Sequence, residues 1–153
     1  MGLDHLAAPR VKRARAELKP GILPELIGYR LRLAQQAVFR DFASAVAEIS
    51  PGRAGMLLLI DANPGVTQGR LAQAVGLDRS TMVGVIDALE SRRLLERRRG
   101  TDRRTNGLWL TREGRSFASR LRRRIARHEH RVAARLDESE RAQLLILLEK
   151  LAA

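Results

Sequence analysis

The segment from Thr67 to Arg93 constrains the fold most, because it holds two short helical patterns joined by a glycine. Thr67 is suited to cap the first helix, whose inward residues are Leu71, Ala72 and Val75. Asp78 is suited to cap the second, whose apolar residues recur three and four apart: Met82, Val85, Ile86 and Leu89. Gly76 permits a tight turn between them. This arrangement predicts a helix-turn-helix.

The outward side of the second helix is polar at its first turn. Arg79, Ser80 and Thr81 lie there. At that position backbone N–H groups and the helix dipole favour a phosphate, and side chains can reach base edges. The pattern therefore indicates a nucleic-acid-reading helix.

A β-hairpin is predicted after the second helix. The segments LLERRR and NGLWLT are short enough to be strands, and they flank the polar residues 100–104. The hairpin would be a wing with a basic tip. The arginines at 97–99 have two interpretations, contact with DNA or a charged strand edge that discourages sheet pairing. Trp109 is expected to pack beside the wing.

Further helices are predicted on both sides of this unit. One runs from Leu23 to about Ser50, and another from Arg53 to Asp61. Thr111 is suited to cap a long Arg-rich helix, and Asp137 with Glu140 has capping-box spacing before the last helix. The terminal helices carry apolar stripes that need a covering surface. A second copy of the chain supplies it, so we expect a homodimer.

Composition narrows the class of protein. The chain has 153 residues, 44% of them hydrophobic, which suffices for one globular domain with helical extensions. A net charge of +12, almost entirely from arginine, favours a polyanionic partner. The absence of cysteine excludes disulfides and thiolate metal sites. No signal peptide or membrane span is visible, so we expect a soluble, cytoplasmic protein.

At this point the sequence resembles the MarR family of winged helix-turn-helix transcriptional regulators. The resemblance rests on Leu71–Glu90, on Asp102-Arg103-Arg104 in the wing, and on LTREGR from Leu110 to Arg115. It implies a triangular dimer with interlocked terminal helices. It also implies recognition helices in successive major grooves of double-stranded DNA and wing tips in the flanking minor grooves.

The expected fold is mainly α with a small β-hairpin wing. Residues 1–22 are predicted to be a basic flexible tail, 23–50 a helix for dimerisation and the pocket, 51–111 the winged helix-turn-helix, and 112–153 the C-terminal dimerisation helices. The expected function is that of a dimeric, sequence-specific transcriptional regulator, a repressor released from a pseudo-palindromic operator by a small molecule.

The predicted DNA contacts come from both helices and the wing. They are Thr67, Gln68, Arg70, Arg79, Ser80, Thr81, Val83, Gly84, Arg98, Asp102, Arg103 and Arg104. Gly84 and Ala88 replace the polar side chains of many family members, so base reading is expected near the start of the recognition helix. Val83 is suited to meet a thymine methyl. In the family pattern Asp102 orients Arg104; the plain alternative is a surface ion pair of little energetic weight.

The resemblance also implies an effector pocket where the first, second and fifth helices meet. Its expected lining is Ile27, Arg30, Leu31, Ala34, Val38, Phe39, Arg53, Met56, Leu59 and Ile60. The effector would be an aromatic or phenolic acid. Arg30, Arg32 and Arg53 could hold its carboxylate or, if the effector is an aromatic acyl-CoA, the phosphates of that ligand.

Other functions have less support in the sequence. A sequence-blind architectural DNA-binding protein is the main alternative, and it would bind random and specific DNA alike. An enzyme is not expected, since no nucleotide-binding glycine loop or nucleophile with a partner base is present. A membrane-surface role is not expected because the apolar stripe of the long helix is needed for the dimer. His128 and His130 point to different helix faces, so no metal or cofactor is expected.

Overall fold

A computed structural model describes residues 18–99 and 106–152, and these fall into two units that divide between Ala34 and Gln35. In the first unit, a 3-10 turn at Leu23–Glu25 has Pro24 in its first turn, where the missing N–H costs nothing. The Nε atom of Arg30 donates to the Pro24 carbonyl oxygen at 2.7 Å. The Arg32 guanidinium lies 5.2 Å from the centroid of the Tyr29 ring. Both arginines therefore have partners within their own unit.

The elements follow the predicted order of helices around one hairpin. They are α1 (Ile27–Ala45), α2 (Pro51–Ala62), β1 (Val66–Thr67), α3 (Gln68–Val75), α4 (Arg79–Ser91), β2 (Leu95–Arg99), β3 (Asn106–Leu110), α5 (Arg112–Val132) and α6 (Glu138–Ala152). The expectation of a mainly helical chain with a small wing is confirmed.

Two helix boundaries differ from the sequence prediction. The first helix was expected to reach about Ser50, but α1 ends at Ala45. The turn that follows folds Val46 and Ile49 into the core, so their apolar spacing reflects burial rather than helix. The helix predicted from Arg53 to Asp61 is α2, and it begins at Pro51 because proline is well suited to the first helical position.

The sheet has three antiparallel strands in the order β1-β3-β2. Leu95 pairs with Leu110 at the base of the wing, and Val66 pairs with Leu108 on the other edge of β3. Strand β1 was not predicted, since two residues are too few to show an alternating pattern. It ties the start of α3 to the wing.

The core of the second unit lies under the helix-turn-helix. It collects side chains from α2, α4, α5 and the sheet, and among the most enclosed are Leu57, Ile60, Met82, Ile86, Leu89, Leu95, Leu108 and Leu121. Burial of a leucine or isoleucine contributes roughly 1.5–3 kcal/mol. These contacts fix α4 from below and leave its other side exposed.

Local caps set the ends of the last two helices. The Thr111 hydroxyl accepts from the Gly114 N–H at 2.9 Å and donates to the Arg93 carbonyl at 2.6 Å. Asp137 and Glu140 bond reciprocally, each side chain accepting the other's backbone N–H at 2.8 and 2.9 Å. The predicted cap and capping box are both confirmed.

Among residues 18–99 and 106–152, no helix has the length and apolar character that crossing a bilayer requires.

Candidate nucleic-acid interface

The helix-turn-helix forms as the local sequence requires. The Thr67 hydroxyl accepts the Arg70 N–H at 3.4 Å and caps α3. Gly76 ends that helix at a φ of 66°, a left-handed conformation that favours glycine. The Leu77 N–H then reaches the Ala72 carbonyl at 3.0 Å, which closes the turn. These bonds direct the chain straight into α4.

Asp78 organises the first turn of α4. Its carboxylate accepts the Thr81 N–H at 2.9 Å and the hydroxyls of Ser80 and Thr81 at 2.6 Å each. These hydrogen bonds, led by the one from Ser80, hold the pKa of Asp78 well below its ordinary value. The carboxylate therefore stays ionised and keeps both hydroxyl hydrogens turned towards itself.

The exposed side of α4 has the residues that the sequence predicted. Arg79, Ser80, Thr81, Val83 and Gly84 are all exposed, and Val83 keeps 42% of its surface open, high for valine. Because the Ser80 and Thr81 hydrogens bind Asp78, their oxygens can offer only lone pairs to a ligand. The free chemistry of this tip is one guanidinium, two hydrogen-bond acceptors and one apolar side chain.

The start of α3 borders a small polar groove. Arg70 is exposed, while Thr67 and Gln68 are half-buried. The groove has a volume of about 250 Å³, and its lining is Thr67, Gln68, Gly69, Arg97, Asn106 and Leu108. It joins α3 to the base of the wing.

Arg97 in β2 contacts the recognition helix. Its guanidinium forms ion pairs with Asp87 and Glu90 of α4, the first at 2.5 Å. Its backbone N–H also donates to a Glu90 carboxylate oxygen at 3.3 Å. The hydrogen bond to Asp87, together with the charges of both carboxylates, raises the Arg97 pKa. The sequence allowed two roles for Arg97, contact with DNA or protection of a strand edge. The structure shows a different one, ion pairing with the recognition helix.

Arg98 points to the opposite face of β2, as strand alternation requires. It pairs with Glu96, and its guanidinium lies 5.5 Å from the centroid of the Trp109 ring. More than half of its side chain is exposed. Trp109, expected to pack beside the wing, is itself a residue of the wing strand β3. The predicted contacts Asp102, Arg103 and Arg104 lie outside the described residues.

The residues expected to line the effector pocket fall in both units. In the first, Ile27, Arg30, Leu31 and Ala34 are exposed on α1. In the second, Phe39, Arg53 and Leu59 are exposed, Val38 is half-buried, and Met56 and Ile60 lie in the core. The buried pair thus belongs to the packed interior of the unit, and the pocket stays a prediction.

One polar cluster was not predicted from the sequence. His128 is 2% exposed, and its Nδ1 lies 2.7 Å from the Asp41 carboxylate, which also binds the Arg131 guanidinium. The sequence offered no signal for it, since a histidine at a helical core position has no visible partner. The cluster fixes α5 against Asp41 of α1.

Together, a capped recognition helix, a glycine turn and a three-stranded wing define a winged helix-turn-helix DNA-binding protein. The chain matches the MarR family over residues 48–105. A protein of Thauera aromatica named as the transcriptional regulatory protein for the hcr operon is 38% identical over 140 residues, covering 89% of this chain and 84% of the relative.

Solved structures agree with that match. The transcriptional repressor CouR bound to a 23-mer DNA duplex has a TM-score of 0.85 and 42% identity, over 90% of this chain and 100% of that chain. CouR bound to p-coumaroyl-CoA gives 0.83 and 41%, over 89% and 98%. The PcaV regulator of Streptomyces coelicolor with its natural ligand gives 0.79 and 33%, over 90% and 96%.

The chain belongs to the MarR family. The predicted family, winged-helix fold and function as a ligand-responsive DNA-binding repressor are confirmed. CouR has been solved with a DNA duplex, in agreement with the DNA partner expected here. The individual contact residues and the domain boundaries stay predictions.

Proposed function

We propose that this protein represses transcription as a homodimer whose two α4 helices read successive major grooves of a pseudo-palindromic operator. The observation that supports the proposal is the exposed polar first turn of α4, which hydrogen bonds to Asp78 hold in a fixed geometry. A two-fold dimer places its recognition helices on one face of the duplex, about one helical turn apart.

The contacts divide into two kinds. Arg79, Ser80, Thr81 and Val83 face base edges, while Arg70 and Arg98 hold phosphates or the minor-groove rim. The wing residues Asp102, Arg103 and Arg104, outside the described residues, complete the minor-groove contact by resemblance to the family. Residues 51–111 form the DNA-binding region, and 23–50 with 112–153 form the dimer.

The effector that we propose is an aromatic acyl-CoA or the corresponding free acid. Support comes from CouR, 41% identical to this chain, which binds p-coumaroyl-CoA. Arg30 in the first unit and Arg53 in the second are each exposed, and guanidinium groups are suited to phosphate or carboxylate. The protein has no catalytic role in this proposal, and it acts in the cytoplasm.

A mobility-shift experiment tests the function. The protein is titrated onto the DNA that flanks its own gene, with random duplex at the same salt as control, and with p-coumaroyl-CoA or p-coumaric acid added. We expect a marked preference for the flanking DNA and release by one of the two ligands. Equal binding to both duplexes would support the sequence-blind architectural alternative.

A further inference from the structure

The arginine run 97–99 in β2 looks like a uniform basic edge, but its members have different surroundings. Arg97 is the half-buried one, with 27% of its side chain exposed against 55% for Arg98. It lies opposite Leu108 of β3, next to the base of the wing. Its position is therefore inside the junction between wing and recognition helix.

The Arg97 guanidinium forms ion pairs with two carboxylates of α4. Nη2 contacts Asp87 and Nη1 contacts Glu90, while the Arg97 backbone N–H also donates to Glu90. One residue of the wing thus makes three bonds to one face of the recognition helix. Such a forked arrangement fixes orientation as well as distance, because the planar guanidinium must face both acids.

Asp87 has a further property that matters for DNA. It follows Val83 and Gly84 by four and three positions, so it extends the exposed side of α4 that we assign to the DNA. Its side chain is 56% exposed. An unpaired carboxylate there would repel the phosphate backbone, and Arg97 supplies the compensating charge.

We propose that Arg97 is a positioning residue: it sets the angle of the wing relative to α4 and neutralises Asp87 and Glu90, without itself contacting DNA. The inference rests on the proposed DNA contact of α4. The two neighbouring arginines thus have different roles: Arg98 contacts the DNA, whereas Arg97 contacts the protein.

Salt dependence separates the two roles. A residue that contacts phosphate lowers the salt slope of binding by about one when it is removed, whereas a residue that only compensates a nearby carboxylate lowers it less. The target is a duplex selected by the wild-type protein from a random pool. We expect Arg97→Ala to weaken binding to it about tenfold, in the range of interface truncations, and to lower the slope less than the loss of a phosphate contact does. Arg98→Ala, the matched control on the other strand face, should lower the slope.

The acidic partners give a test with opposite signs. In an Asp87→Asn, Glu90→Gln double variant, loss of two negative charges should strengthen binding to random duplex, while the preference for the selected duplex falls because the wing is no longer held. If Arg97 contacts phosphate instead, its freed guanidinium would strengthen both, and the preference would stay. Arg97→Lys should restore part of the affinity, since an ammonium reaches only one carboxylate at a time.

Hydrogen exchange on the free protein keeps the inference testable without DNA. We expect the double variant to speed exchange of the wing amides from Leu95 to Arg99 and to leave α5 unchanged. Unchanged wing exchange, or a salt slope in Arg97→Ala as low as that of Arg98→Ala, would overturn the positioning role. A wild-type protein that selects no duplex would instead contradict the proposed function.

Discussion

The Nδ1 atom of His128 lies 2.7 Å from a carboxylate oxygen of Asp41, although 87 residues separate the two in the chain. A carboxylate can only accept, so the imidazole proton is on Nδ1. Arg131 binds the same carboxylate through Nη2 at 2.7 Å and Nε at 3.1 Å. The His128 and Phe42 rings pack nearly perpendicular to each other, with ring centroids 5.3 Å apart. A polar bond and an aromatic contact thus join the same two helices.

This cluster predicts acid sensitivity. The hydrogen bond from Arg131, followed by that from His128, lowers the pKa of Asp41 from 3.8 to about 2. A lowered pKa means that the folded state favours the ionised form, so the stabilisation is present above about pH 4 and is lost as the pH falls towards 2. We expect Asp41→Asn to lower Tm at neutral pH and to make Tm less dependent on pH between 4 and 2. Thermal unfolding followed by circular dichroism measures both, with Glu149→Gln as the exposed control.

Gly114 predicts a steric limit at the base of the wing. A Cβ atom there would lie 1.8 Å from the Leu94 carbonyl oxygen, which belongs to rigid backbone. We expect Gly114→Ala to destabilise the fold by at least about 1–3 kcal/mol, as overpacked sites do. Gly55 is the matched control: it lies in α2 with nothing near its would-be Cβ. There alanine should stabilise by roughly 0.5–1 kcal/mol. Urea unfolding of both variants checks the opposite signs.

The caps show why parts of this structure could be predicted from sequence. Asp78, Thr111 and Asp137 each bond to a residue three positions later. Such bonds depend on a window of four residues, and the sequence displays that window directly. The recognition helix and its exposed tip therefore followed from local rules.

The remaining features depend on contacts between different helices and strands. Arg97 was one of three similar arginines until the fold placed Asp87 and Glu90 against it, and His128 had no visible partner before Asp41 approached. The end of α1 was misjudged for the same reason. Val46 continues the apolar spacing of the helix, yet it is buried in the turn that follows.

The hydroxyl of Thr81 predicts a selective defect in base reading. Its hydrogen is held by Asp78, so it presents an acceptor suited to the amino group of adenine or cytosine. We expect Thr81→Val to reduce the preference for selected over random duplex by about 1–3 kcal/mol, the usual effect of losing a base contact. Thr81→Ser keeps the hydroxyl and should keep the preference. Equal preference in all three proteins, measured by fluorescence anisotropy, would place Thr81 outside the base contacts.

We expect helix α6 to stabilise the dimer. Its leucines and isoleucine are largely exposed in the single chain: Leu144, Leu145, Ile146, Leu147, Leu148 and Leu151. Burial of one such side chain contributes about 1.5–3 kcal/mol, so deleting residues 144–153 should leave mostly monomer at micromolar concentration. Operator affinity should fall as the dimer dissociates, since each protomer then binds its half-site alone. Sedimentation velocity checks the first result; a stable monomer of the full chain that still binds operator tightly would contradict the architecture.

Effector and operator must influence each other by the same factor. A ligand releases DNA only to the extent that it prefers the conformation that does not bind DNA. The factor by which p-coumaroyl-CoA weakens operator affinity should therefore equal the factor by which bound operator weakens p-coumaroyl-CoA affinity. Calorimetric titration of the ligand into free protein and into the operator complex measures one factor, and mobility shift measures the other. Arg53→Ala should lower ligand affinity in both titrations if that guanidinium holds the phosphates. A ligand whose affinity ignores bound DNA would leave a repressor that this class of molecule does not regulate.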